Sequence, residues 1–182
     1  SFLLIISLCP STYAQNSRIR DSLKLDSLTD LMYTQNDNQK FDSGVIYAKQ
    51  VASLTYQLHD SSRQYAVSLN NLAYFYGQNF DYANEELYLE EALAVLEKYA
   101  GKNDSDYAAF NNNLAVLYDN LGNYKAAESL YKESGSIRKA IFGIESTQYG
   151  ESLNNLGNFF RKIENDSSKL YLEQSLGIRK KS

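Results

Sequence analysis

The sequence predicts an all-α chain, a solenoid of about four stacked helix pairs, and three observations carry that expectation. The first is a repeat. Tyr65-Ala-Val-Ser-Leu-Asn-Asn-Leu-Ala73 returns as Tyr107-Ala-Ala-Phe-Asn-Asn-Asn-Leu-Ala115, then as Tyr149-Gly-Glu-Ser-Leu-Asn-Asn-Leu-Gly157, 42 residues apart each time. The second is periodicity: Leu69, Leu72, Ala73 and Tyr76 fall at i, i+3, i+4 and i+7, the buried stripe of one helix. Leu89, Ala92, Leu93 and Leu96 repeat that spacing for its partner. The third is that the only proline is Pro10, so nothing later in the chain forces a helix to break. A single pair of this kind cannot bury its apolar face, so neighbouring pairs must stack.

Residues 1–14 read as an export leader. Phe2–Leu8 is a short apolar run, and Thr12 and Ala14 supply the small side chains of a cleavage site, with Gln15 opening the mature chain. The run is too short for the roughly 20 residues that span a bilayer. Cys9, the only cysteine, would leave with the leader, so neither a disulfide nor a thiolate metal site is expected in the mature chain. The expected location is the periplasm or the extracellular space.

Residues 15–60 form an atypical first pair, with Leu28, Leu31, Phe41 and Tyr47 matching Leu69, Leu72, Tyr82 and Tyr88 at an offset of 41. The pairs 61–101 and 103–143 align without a gap, carrying Tyr76 to Tyr118, Tyr82 to Tyr124, Glu86 to Glu128 and Gly101 to Gly143. Ser61 with Gln64 has capping-box spacing, and the two glycines close second helices where a left-handed residue is needed. The last pair, 145–182, carries Phe160 in the Tyr76 column and drops one residue in the inner turn Glu164–Lys169. A further glycine would fall at 185, so this pair is expected to be truncated and the repeats to continue. Ala73, Ala115 and Gly157 share one column, where a large side chain would push the paired helix away; Met32 holds it in the first pair.

The Leu-Asn-Asn-Leu-Ala…Tyr pattern, with Asn123-Tyr-Lys-Ala-Ala-Glu-Ser-Leu-Tyr131 and Ile137-Arg-Lys139, resembles the 42-residue tetratricopeptide repeat. That variant is known from kinesin light chains and from bacterial proteins, some with a caspase-like CHAT peptidase domain after the repeats. The resemblance implies a right-handed α–α superhelix whose first helices line a concave groove that binds protein or extended peptide. Two departures stand out: Asn111 replaces the leucine of Leu69 and Leu153, and Gly135 replaces Leu93, so the third pair is expected to pack less firmly.

On that groove the resemblance places Asn70, Asn71, Asn112, Asn113, Asn154 and Asn155, one pair per repeat. Carboxamides both donate and accept, so such a ladder can bond a peptide backbone or bond the neighbouring repeat. Tyr74, Val116 and Asn158 follow along the same helices, then Asp119 and Arg161, then Gln78, Asn120 and Lys162. The end near Arg161 and Lys162 is the more basic and would suit a carboxylate. Arg138 and Lys139 sit where cations offset a helix dipole.

Catalytic chemistry has little to draw on. His59 is the only histidine, no phosphate loop or nucleophile elbow is present, and metal-ligand spacing is absent. Adjacent acids such as Glu85 and Glu86 diverge around a helix. A net charge of −4 with interspersed signs gives no nucleic-acid footprint. Neither a cofactor nor a metal is expected. Three functional readings stay open: an exported binding scaffold, the sensing region of a larger enzyme (a CHAT-type peptidase or membrane histidine kinase) continuing past Ser182, and self-assembly.

Overall fold

The computed structural model describes residues 10–59 and 63–180. Among them the chain forms helices and turns only, in four antiparallel pairs: α1 (Pro10–Asp37) with α2 (Phe41–His59), α3 (Arg63–Gln78) with α4 (Tyr82–Tyr99), α5 (Ser105–Asn120) with α6 (Tyr124–Phe142), and α7 (Thr147–Lys162) with α8 (Ser167–Arg179). Each helix packs on its neighbours in the chain, and α3 also touches α5 directly. The result is the all-α solenoid that the repeat predicts. Most of the leader (residues 1–9, Cys9 included) and Ser61 of the capping pair lie outside the described residues; Pro10–Ala14 belong to α1.

The turn inside every pair is built alike. The amide of Lys40, Asp81, Asn123 and Asn165 donates to the carbonyl five residues back, at Gln35, Tyr76, Tyr118 and Phe160. This 6→1 bond requires a left-handed residue just before it. Gln39, Phe80, Gly122 and Glu164 occupy that position, with φ of 55°, 60°, 77° and 54°. Only the third pair supplies glycine. The bond at Asn165 shows that the fourth turn keeps its full length, so the residue missing from this pair is lost at the start of α8 instead. There Asp166 makes no capping bond.

Between pairs, side chains cap the next helix. Asp104 accepts from the amides of Asp106 and Tyr107, and Ser146 from that of Tyr149. Gly101 and Gly143 take positive φ, as predicted, although ψ of 169° carries Gly143 out of the left-handed helical region into one open essentially to glycine alone. Arg63 at the start of α3 reaches both Asp104 and Asp106. Burial opposes the charge of Asp104, but Arg63 and the α5 amides outweigh it and hold the carboxyl below its usual range. Arg138 serves packing more than the helix dipole: it donates to the Gln148 carbonyl and Ser152 Oγ and approaches Glu151, tying α6 to α7.

The columns behave as the repeat implies. Met32, Ala73 and Ala115 are fully buried, and a Cβ at Gly157 would stand 2.8 Å from the Leu172 side chain of the paired helix. Beside them Tyr76 stacks on Tyr88 and Phe160 on Tyr171, with ring centroids 5.5 Å apart in both. A column not anticipated holds Ala92, Ser134 and Ser175. Ser134 Oγ donates to the Ala108 carbonyl at 2.7 Å and Ser175 Oγ to that of Gly150 at 2.8 Å, each pinning a second helix to the first helix of its pair.

The buried residues fall into two groups joined through Tyr118 and Leu130. One cluster of buried residues runs from Leu28 to Leu117, and another gathers Ala115, Ala127, Tyr131, Leu156, Phe159 and Phe160. They meet in the third pair. There Asn111 is 1% exposed with its amide nitrogen unpartnered, and a Cβ at Gly135 would meet one atom, Ser152 Cβ at 3.4 Å. Both departures lie in this pair, yet α5 and α6 pack on each other as extensively as the helices of the other pairs, so the looser packing expected there is not seen.

Candidate functional site

Adjacent first helices meet through polar side chains whose numbers differ by 43, one more than the repeat. Asn113 Nδ2 donates to Asn70 Oδ1 and Asn155 Nδ2 to Asn112 Oδ1, both at 2.9 Å. Lys162 Nζ donates to Asp119 Oδ1 at 2.7 Å and to the Asp119 carbonyl at 3.1 Å. Neighbouring helices are therefore offset by one residue along this face, so a side chain meets the position before its own equivalent. Asn70, Asn112, Asn113 and Asn155 thus join repeat to repeat. Lys162 and Asp119 neutralise each other, which removes one of the two cations of the expected basic end and leaves Arg161 exposed. Asn154 and Asn158 are half-buried on α7.

Further along, α3, α5 and the start of α4 enclose an open cavity of about 540 Å³. Asn70, Asn71, Tyr74, Gln78, Asn113, Val116 and Asn120, all placed on this face by the sequence, line it. Among the described residues, the carboxamides of Asn71, Gln78 and Asn120 have no hydrogen-bond partner within the chain. Tyr74 is held from both sides: its hydroxyl donates to Asn36 Oδ1 at 2.8 Å, and its ring meets Phe75 edge-on.

Sequence reasoning missed the other wall, formed by Gly77, Phe80, Tyr82, Glu85 and Leu89. Phe80 is 78% exposed despite its size and stands in the left-handed conformation, which costs a residue with a Cβ about 1–2 kcal/mol. Glu85 is half-buried in the first turn of α4, with its carboxyl lying where a Cβ on Gly77 would be, 2.6 Å away. No cation reaches it among the described residues, and burial pushes it up from its ordinary 4.5 to about 7. The helix N-terminus favours the charge; here desolvation wins. The signal was present in the columns: Gly122 stands under Phe80 and Ala127 under Glu85.

The Glu85 shift sets a pH dependence. Its folded pKa lies above the unfolded one, so the fold prefers the protonated carboxyl, and stability falls as pH rises from about 4.5 to about 7. Glu85→Gln is expected to leave stability unchanged at pH 4 and raise it by about 1–2 kcal/mol at pH 8, allowing for partial solvent screening. Urea unfolding at the two pH values checks this; an equal gain at both would mean the carboxyl ionises normally.

Among the described residues no group of three or more His, Cys, Asp or Glu gathers as a metal site, and no helix is long and apolar enough to cross a membrane. The sequence profile of the tetratricopeptide repeat family matches residues 64–140 and 106–181. No curated protein matches the chain. Among solved structures, BtubC (BKLC) from P. vanneervenii superposes with a TM-score of 0.82 at 19% identity, over 93% of this chain and 68% of that one. A candidate kinesin light chain from Podosopora anserina, built of nearly identical TPR-like repeats, gives 0.71 at 20% identity, over 98% and 80%. At such identity the likeness is one of fold. With the profile covering most of the sequence and the helix pairs stacked as described, the chain belongs to the tetratricopeptide repeat family, whose members are scaffolds that generally mediate protein–protein binding.

Proposed function

We propose that this chain is an exported, non-catalytic scaffold that binds an extended segment of another polypeptide along the face of α3, α5 and α7. The observation that carries this reading is the cavity beside α3 and α5. It offers three carboxamides uncommitted within the chain, at Asn71, Gln78 and Asn120, and an exposed aromatic wall. An extended backbone presents alternating donors and acceptors, which carboxamides match without reading sequence. Asn70 and Asn113 stiffen the floor by bonding each other, so the groove is formed before a partner arrives.

Changing Asn71, Gln78 and Asn120 together to alanine is expected to weaken partner capture by at least about tenfold, or 1.4 kcal/mol. The helical content should stay the same, because these side chains hold no helix to another. Replacing Asn113 and Asn155 would test less, since both also join repeats. Capture undiminished in the triple variant would remove this face from consideration. Export is supported by the Phe2–Leu8 run with Thr12 and Ala14. It predicts a secreted product beginning at Gln15, which the intact mass decides.

A further inference from the structure

The repeat supplies its own comparison for the cavity wall. Three columns break together there: Gly77 stands where Asp119 and Arg161 stand, Phe80 where Gly122 and Glu164 stand, and Glu85 where Ala127 stands. Stacking explains none of these changes. Glycine at 77 removes the Cβ that would occupy the space of the Glu85 carboxyl. Phe80 accepts a conformation that glycine would adopt without strain, and its ring gains little burial in return. The positive φ itself belongs to the turn, since Gln39 and Glu164 share it; what is particular here is a large ring left exposed beside a desolvated carboxyl in a cavity, and that points to a ligand.

Charge states which kind. Among the described residues, Glu85 is the only charged side chain lining the cavity. Elsewhere the chain places its own lysines over aromatic rings, with Lys49 over Tyr76, Lys132 over Phe160 and Lys162 over Tyr124. Among the described residues none lies over Tyr74, Phe80 or Tyr82, and none pairs with Glu85. The wall has an unpaired carboxylate and uncovered rings, and lacks a cation.

We propose that this cavity is a subsite for one arginine side chain of the bound polypeptide, with the Glu85 carboxylate meeting the guanidinium and Tyr74, Phe80 and Tyr82 around it. The inference rests on the groove reading above and names the chemistry the groove selects. A planar guanidinium pairs with a carboxylate through two parallel bonds, stacks on rings, and is more weakly hydrated than an ammonium. A desolvated carboxylate among aromatics therefore suits arginine better than lysine.

The test uses acetylated, amidated peptides Gly-Ser-Ala-Xaa-Ala-Ser-Gly in which Xaa is arginine, lysine or citrulline, titrated calorimetrically into the whole chain at pH 8. Citrulline keeps the shape of arginine and lacks its charge. The arginine peptide should bind about tenfold more tightly than its citrulline twin. Glu85→Gln should erase that difference. Gly77→Ala, which keeps the charge and displaces the carboxyl, should narrow it. Equal and measurable binding of the arginine and citrulline peptides overturns the subsite and leaves the groove reading standing. Binding of none overturns both. Lysine matching arginine reveals a bare charge contact and overturns the arginine assignment, as does a preference that survives Glu85→Gln.

Discussion

Replacing Asn111 with leucine is expected to raise the unfolding free energy by about 1–3 kcal/mol, which is the range for relieving a buried polar group of its missing hydrogen bond. Asn111 is 1% exposed and its amide nitrogen finds no partner, whereas Leu69 and Leu153, in the same column, are 2% and 5% exposed and wholly apolar. Leucine is larger, and forcing volume into a tight core would cancel the gain. Two features argue that the third pair can accommodate it. The column is built for leucine in the pairs on either side, and the same pair has already given up a leucine at Gly135. The gain should be felt in the pairs on either side as well, because a solenoid passes stability between neighbours. Urea unfolding followed by circular dichroism should show a higher midpoint and a sharper transition. A lower midpoint would mean that the carboxamide is satisfied in solution and that Asn111 is a chosen polar contact.

Most of the fold could be read from the sequence because a solenoid repeats its contacts as well as its residues. Leu69 meets in its pair what Leu153 meets in its own, so one offset of 42 exposes both the helix faces and the columns. The contacts between first helices could not be read that way. They run at 43, since neighbouring helices are displaced by one residue, and an alignment at 42 pairs Asn113 with Asn71 when its bond goes to Asn70. The same displacement brings Lys162 onto Asp119 and so removes charge from an end expected to be basic. The residues expected on one face of α3 and α5 do share a cavity lining, because helical spacing fixes which face they occupy. Phe80 and Glu85 did not, because they lie on a turn and on a second helix, and only their departure from Gly122 and Ala127 marks them. Repeats make regularity visible; what is particular to this chain lies where they fail.

Gly44→Ala is expected to lower stability by about 3 kcal/mol, at the upper end of the cost of overpacking, although alanine is the better helix former by about 1 kcal/mol. A Cβ at this position in α2 would lie 2.2 Å from Cδ1 and Cε1 of Phe75, far inside any contact that carbon atoms tolerate. Phe75 has little freedom to retreat. Its ring is 2% exposed in the larger core cluster, and the Tyr74 ring stands edge-on to it at 5.5 Å. The first two pairs must therefore separate, or the ring must turn and carry Tyr74 with it. Either movement reaches the groove, because Tyr74 lines the cavity and its hydroxyl is held by Asn36 of α1. A double-mutant cycle with Phe75→Leu isolates the contact: once the ring is gone, Gly44→Ala should cost much less, with a coupling of about 1–3 kcal/mol. If Gly44→Ala alone stabilises the protein by its helix propensity, then α2 and α3 do not approach as closely as the Phe75 ring requires. The route from α2 through Phe75 to the groove would fall with it. If the cost and the coupling both appear, the position of Tyr74 in the cavity is set by how closely α2 and α3 pack, and the glycine in α2 shapes that cavity without touching it.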